Sequence, residues 1–134
     1  MQSPMFVDNM SISFKHESRL TKNGMKTTHG RTIARLTKDQ RSKAHRQARQ
    51  RAKKRNWVMP ELAQITITHY YARRPMDYDG LACASAPAID GLIDAGIIKD
   101  DSPKYITDYR LRHEKVATVK EVRVEVCISS VQKS

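Results

Sequence analysis

Asp77 and Asp79 stand two residues apart in the stretch R-R-P-M-D-Y-D-G-L (73–81), and a second acidic pair, Asp100 and Asp101, follows later in the chain. In extended backbone an i, i+2 spacing points both side chains to one side. Joined by Asp101, the two would form a three-carboxylate, all-oxygen site of the kind that suits Mg²⁺ or Mn²⁺. Carboxylates crowded together repel, and a divalent cation is what keeps them ionised in one place. The chemistry of such a site is phosphodiester hydrolysis, with the ion activating water and neutralising charge on the phosphate. Spacing alone leaves another reading open. Asp79 can serve as a helix N-cap, and Asp100-Asp101 as a turn before Ser102-Pro103. Convergence also requires that the helix after Asp79 pack across the strand direction rather than along it.

The rest of the chain must hold those carboxylates against a polyanion. Of 134 residues, 25 are Lys or Arg and 14 are Asp or Glu, a formal net charge of +11. The segment Arg31–Arg55 carries +10, whereas residues 77–101 carry −5, with Lys99 as their one base. A surplus of this size points to nucleic acid as partner. The length suits one domain, 1–134, able to bury a core without disulfides or metal. No run of apolar residues is long enough to span a membrane, and MQSPMFVDNM does not read as a secretory signal. Cys83 and Cys127 are far apart and fit a reducing compartment, so a cytoplasmic protein is expected.

The periodicity predicts an α+β domain, a small mixed sheet of about four strands packed with two main helices. Residues 1–9 read as an irregular or weakly ordered start. Met10–Phe14, Gln64–Tyr70, Tyr105–Leu111 and Val122–Ser129 alternate in the manner of strands. Glu17–Thr32, rich in Thr, Lys and Arg and broken by Gly24 and Gly30, reads as a long basic loop. Thr37 is the expected cap of a helix over Lys38–Asn56, with Asp39 in its first turn and Ala44, Ala48 and Ala52 as a small-residue face. A second helix runs from Asp79 to about Asp94 on a stripe of Leu81, Ala84, Ala88, Leu92 and Ile93. Pro87 kinks it or marks a second start, and Gly96 sits just past its end.

The stretches R-R-P-M-D-Y-D-G-L (73–81), A-I-D-G-L-I-D-A-G-I-I-K-D-D-S (88–102) and D-Y-R (108–110), taken together, resemble the RusA family of Holliday junction resolvases. The likeness covers roughly residues 64–128 and is loose before that. It implies a RusA-like fold and a homodimer that resolves four-way DNA junctions by paired nicks. It also implies Mg²⁺ held by Asp77, Asp79 and Asp101, which are required for cleavage. Asp90 matches a further helix aspartate, and Asp100 is its companion in support. The chain departs from the family at Ala86, where a lysine is usual, and at Gly80, where asparagine is usual. Lys99 or Lys104 is the candidate replacement for the missing charge. The family's frequency in phages makes a phage- or prophage-encoded protein in a bacterial cytoplasm the expected setting.

The resemblance implies that Arg73 and Arg74 clamp phosphate beside the carboxylates, a role that guanidinium geometry suits. Arg46, Arg49 and Lys53 on the basic helix, with Lys99, are expected to contact DNA backbone. For each, the alternative is solvated charge. The five histidines are dispersed without zinc-ligand spacing and read as surface or DNA-adjacent. Cys83 and Cys127 read as packed thiols, and Trp57 as a core anchor. The competing function is a non-catalytic basic nucleic-acid-binding protein, which accounts for the basic segment and leaves the aspartates unexplained.

Overall fold

A computed structural model describes residues 6–132. Four strands, β1 (Phe6–Phe14), β2 (Ala63–Tyr71), β3 (Ile106–Lys115) and β4 (Arg123–Val131), form one sheet in the order β1-β4-β2-β3. β4 runs antiparallel to both β1 and β2, whereas β3 runs parallel to β2. Three helices join them: the short α1 (Lys22–Thr27), the long α2 (Gly30–Arg55) and α3 (Tyr78–Asp94). The mixed four-stranded sheet with two main helices matches the expected α+β arrangement. Among the described residues no helix is long and apolar enough to cross a membrane.

Strand alternation sorts the side chains into two layers. Met10, Ile12, Ile65, Ile67, Val124, Val126 and Ile128 are buried against Ala44 and Ala48 of α2 and Leu81, Ala88, Ile89 and Leu92 of α3. The alternate residues, among them Thr66, Tyr70, Arg110, Arg112, Arg123 and Glu125, form the opposite, polar face. There the Arg123 guanidinium lies 4.0 Å from the centre of the Tyr70 ring, a cation–π contact.

The two main helices touch through small residues. A Cβ added at Gly91 would stand 2.5 Å from the Arg41 carbonyl oxygen and 2.8 Å from the Ala44 Cβ. The Arg41 guanidinium grips both oxygens of Asp94 at 2.6 and 2.8 Å, tying the last turn of α3 to α2. On its other side α2 holds the β1 edge. The Gln47 side chain accepts from the Ser13 N–H at 2.8 Å and donates to the Ser13 carbonyl at 3.0 Å.

Several expectations are corrected. The irregular start falls partly on residues 1–5, outside the described residues, and from Phe6 the chain is already strand. The 17–32 loop is instead a 3₁₀ turn at Ser18–Leu20, α1 and the first turn of α2. Leu20 is fully buried in it and accepts from the Cys83 thiol. α2 begins at Gly30 with His29 as its cap, so Thr37 is interior and Asp39 pairs with Lys43 one turn on. Ile33 and Leu36 extend its inward face backward, and that packing outweighs the poor helix propensity of Thr and Gly. α3 is one continuous helix through Pro87, with no second start. Its end is as expected: Gly96 has φ +75°, its N–H bonds the Ile93 carbonyl, and the Ile97 N–H bonds the Leu92 carbonyl, both at 3.0 Å. This is a Schellman motif.

Replacing Gly91 by Ala should destabilise the domain by about 1–3 kcal/mol, despite the better helix propensity of Ala, because the neighbouring backbone must move. Urea unfolding measures it, and an unchanged or raised midpoint refutes the close helix contact.

Candidate functional site

Asp77 is the N-cap of α3. Its Oδ1 accepts from the Gly80 N–H at 2.6 Å while its carbonyl accepts from the Leu81 N–H at 2.9 Å. The cap is therefore Asp77, not Asp79, which lies in the first turn where the helix dipole favours an anion. Glycine at 80 makes room for this cap, since a Cβ there would come within 2.6 Å of Asp77 Oδ1. Both carboxylates are solvent-exposed, as are Arg73 and Arg74 just before them. The two arginines line a cavity of ≈ 510 Å³ together with His16, His69, Tyr71 and Met76. Paired carboxylates and paired guanidiniums thus share one end of the sheet.

Asp101 lies at the other end. Met76 is anchored to His69 and Tyr78 packs on His113, two residues paired in register near the end of β2 and β3. Ser102 is anchored to Ile106, at the start of β3 beside Ala63. His113 lies seven residues beyond Ile106 along β3, about 23 Å at 3.3 Å each. The expectation that one chain gathers Asp77, Asp79 and Asp101 is therefore not met. α3 packs along the strand direction, because a parallel pair needs its crossover to return the full length of the sheet. Among the described residues no three His, Cys, Asp or Glu side chains stand together in a metal-holding group. The expected three-carboxylate site for Mg²⁺ or Mn²⁺ is therefore not assembled within a single chain.

Asp100 and Lys99 belong to the Asp101 end. The Asp101 N–H donates to Asp100 Oδ1 at 2.9 Å, and the Lys99 and Lys104 ammonium groups lie 5.6 and 5.5 Å from the Tyr105 ring centre. Both lysines thus lie at the Asp101 end of their chain rather than beside Asp77. Asp101 adds to burial in raising the Tyr109 hydroxyl, to about 12. Asp90 sits far along α3, near Arg41.

The histidines correct a second expectation. His69 is 3% exposed, and His16 and His113 are half-buried. Their rings form a row, His16 to His69 at 5.5 Å and His69 to His113 at 5.7 Å, with Tyr78 a further 5.0 Å from His113. His69 Nδ1 accepts from the Met76 N–H at 3.3 Å, which places its proton on Nε2, and that buried atom has no hydrogen-bond partner. His69 thus holds the loop that delivers Asp77. Period-two alternation carried the signal: His69 continues the inward series of Ile65 and Ile67, and His113 that of Leu111.

Burial pushes His69 down to about 4, and His16 and His113 push the same way. Burial also lowers His16, against a smaller opposing pull from Glu17. Arg46, Arg49 and Lys53 are exposed on α2. Trp57 is a core anchor, its indole N–H donating to the Ile97 carbonyl at 3.0 Å. Cys83 and Cys127 are half-buried thiols.

Two outcomes follow from this geometry. Unfolded His69 takes its proton near pH 6.5 and folded His69 only near 4, so stability is full above 6.5 and declines as pH falls through that window. Between pH 7 and pH 5 the loss from this residue should be about 2 kcal/mol, read as the difference between wild type and His69→Gln in urea unfolding at both pH values. Equal losses in the two proteins would rule out the buried neutral imidazole. Asp77→Ala should cost about 1 kcal/mol of stability and Asp77→Asn only a few tenths, because Asn also caps. Equal costs in thermal melts would show that Asp77 is no cap.

Neither protein-family models nor the curated proteins contain a match to this chain.

Proposed function

We propose that this protein is a divalent-metal-dependent endodeoxyribonuclease that nicks four-way DNA junctions as a two-fold dimer. The observation that carries the reading is the exposed turn at the start of α3, where Asp77 and Asp79 stand beside Arg73 and Arg74. Acids repel a phosphodiester unless a cation joins them, and the adjacent guanidiniums give that phosphate a place to bind. The resemblance to RusA resolvases rests on the same residues.

The separation of Asp101 from the pair sets the form of the proposal. Asp77-Asp79 and Asp101 occupy opposite ends of the α3–β3 unit, and β3 is an edge strand of the sheet. A two-fold contact that sets two such units side by side and antiparallel brings Asp101 of one copy to Asp77 and Asp79 of the other. Two equivalent sites result, as two symmetric nicks require. In each, three carboxylates would hold the ion whose chemistry is water activation and charge neutralisation. Arg73 and Arg74 orient the phosphate.

The same separation favours the competing reading, a basic nucleic-acid-binding protein without catalysis. A mixing experiment decides between them. Asp77→Asn and Asp101→Asn should each abolish nicking of a synthetic four-way junction in Mg²⁺. Mixed after dissociation, the two variants form a heterodimer with one intact site, and single nicks should return. No nicking by wild type in Mg²⁺, or undiminished nicking by Asp77→Asn, overturns the nuclease reading. Inactive singles with no recovery on mixing overturn the shared site.

A further inference from the structure

The eleven cations of α2 divide into three sets. Arg41, Lys43 and Arg55 are paired with Asp94, Asp39 and Asp8. Arg31, Arg35, Lys38, Arg46, Arg49 and Lys53 are all exposed, and among the described residues none forms an ion pair. At 3.6 residues per turn these six fall within an arc of roughly 80°. The three paired cations, the buried Ala44 and Ala48, and two further exposed and unpaired cations, Arg51 and Lys54, fall outside it. The stripe extends from Arg31 to Lys53, about 33 Å at 1.5 Å per residue. It has a gap in the middle, where Ser42 occupies the arc, so three cations cluster toward each end.

We infer that this stripe is a docking surface for double-stranded DNA laid along α2 and held by its phosphates alone. The length is the first reason. One turn of duplex is about 34 Å, and within one turn each of the two strands crosses a given face once. Two clusters on one ridge match two backbone crossings. The second reason is composition. The stripe contains no aromatic side chain on which an unpaired base could stack, so it lacks the usual means of gripping single strands. It also lacks the apolar face that an interfacial membrane helix inserts, because the apolar side of α2 is spent on α3 and the sheet. Three of these cations, Arg31, Arg35 and Lys38, lie before or at the first residue of the helix that the sequence predicts. Their alignment with the rest depends on α2 starting at Gly30.

The inference deepens the junction-nicking reading by naming the surface that receives a duplex arm, and its test needs no cleavage. Binding of an unbranched duplex is measured in EDTA from 50 to 200 mM salt. Six phosphate contacts predict a slope of log K against log salt of about −5, roughly a 10³-fold loss of affinity over that range. Replacing Arg31, Arg35 and Lys38 together by Gln should reduce the slope by about 3, and so should replacing Arg46, Arg49 and Lys53. Lys43→Gln, which removes a paired cation off the arc, should leave it unchanged. Gln is a good helix former, and a triple Arg35→Lys, Arg46→Lys, Arg49→Lys variant keeps the slope if charge alone matters. An unchanged slope in either triple Gln variant overturns the inference. So does tighter binding to single-stranded DNA, duplex RNA or phosphatidylserine vesicles than to duplex DNA. Failure here leaves junction nicking by the Asp77 site standing, and failure of nicking leaves this slope unaffected.

Discussion

The parallel pairing of β2 with β3 is the constraint on which the remaining structure turns. Two parallel neighbours cannot be joined by a hairpin, so the chain leaving Tyr71 must travel the length of the sheet before Ile106 can pair beside Ala63. α3 makes that journey, and 17 residues of helix span about 25 Å. Everything attached to its start is thereby placed far from everything attached to its end. The acidic segment 77–101, contiguous in sequence, becomes two acidic ends in space. The same path lays α3 across the apolar face and against α2, where Gly91 and Ala44 allow backbone-close contact and Arg41 locks onto Asp94.

The elements whose sequence pattern is set by burial were legible. Ile65, Ile67, Val124, Val126 and Ile128 alternate because one face of the sheet is covered and the other is not. The stripe of α3 and its Gly96 terminus follow in the same way. Legibility failed where local composition and tertiary packing disagree. Thr, Lys and Gly in residues 21–32 suggest a loop, yet Leu20, Ile33 and Leu36 give that segment something to bury, and it folds into turn and helix. In the histidines, residue type and strand parity point opposite ways. His69 is polar, but it occupies an inward position, and its Nδ1 is satisfied by a backbone N–H. The spacing of the acids could show that Asp77 and Asp79 are neighbours. It could not show where Asp101 goes, because that depends on whether the crossover is parallel, a property of strand order.

The net charge of +11 also acquires a shape. α2 docks with few large apolar side chains. Ala44 and Ala48 let it lie close to α3, and Gln47 and Gln40 hook the β1 edge by hydrogen bonds to Ser13 and Lys15. A helix held by alanines and glutamines needs only a narrow face for the fold. The rest of its circumference can carry like charges, whose mutual repulsion water and salt screen. Arg41, Lys43 and Arg55 pair with carboxylates of the fold, whereas the cations on the outer arc, like Arg51 and Lys54 outside it, form no ion pair among the described residues.

Asp77 carries two demands at one atom pair. As a cap it must present one oxygen to the Gly80 N–H, and Oδ1 does so at 2.6 Å. As a ligand or a phosphate-facing acid it must present the other outward, and among the described residues no hydrogen bond engages Oδ2. Gly80 makes the combination possible, since a side chain there would crowd the capping oxygen. Tying the carboxylate to the helix fixes its direction before any ligand arrives, which lowers the entropic cost of ordering it on binding. His69, buried beneath and bonded to the Met76 N–H, fixes the preceding loop in the same sense. A capping aspartate and an exposed reactive aspartate are usually offered as alternative readings of one residue. Here the cap orients the carboxylate, so the capping role and the proposed ligand role are compatible in a single arrangement.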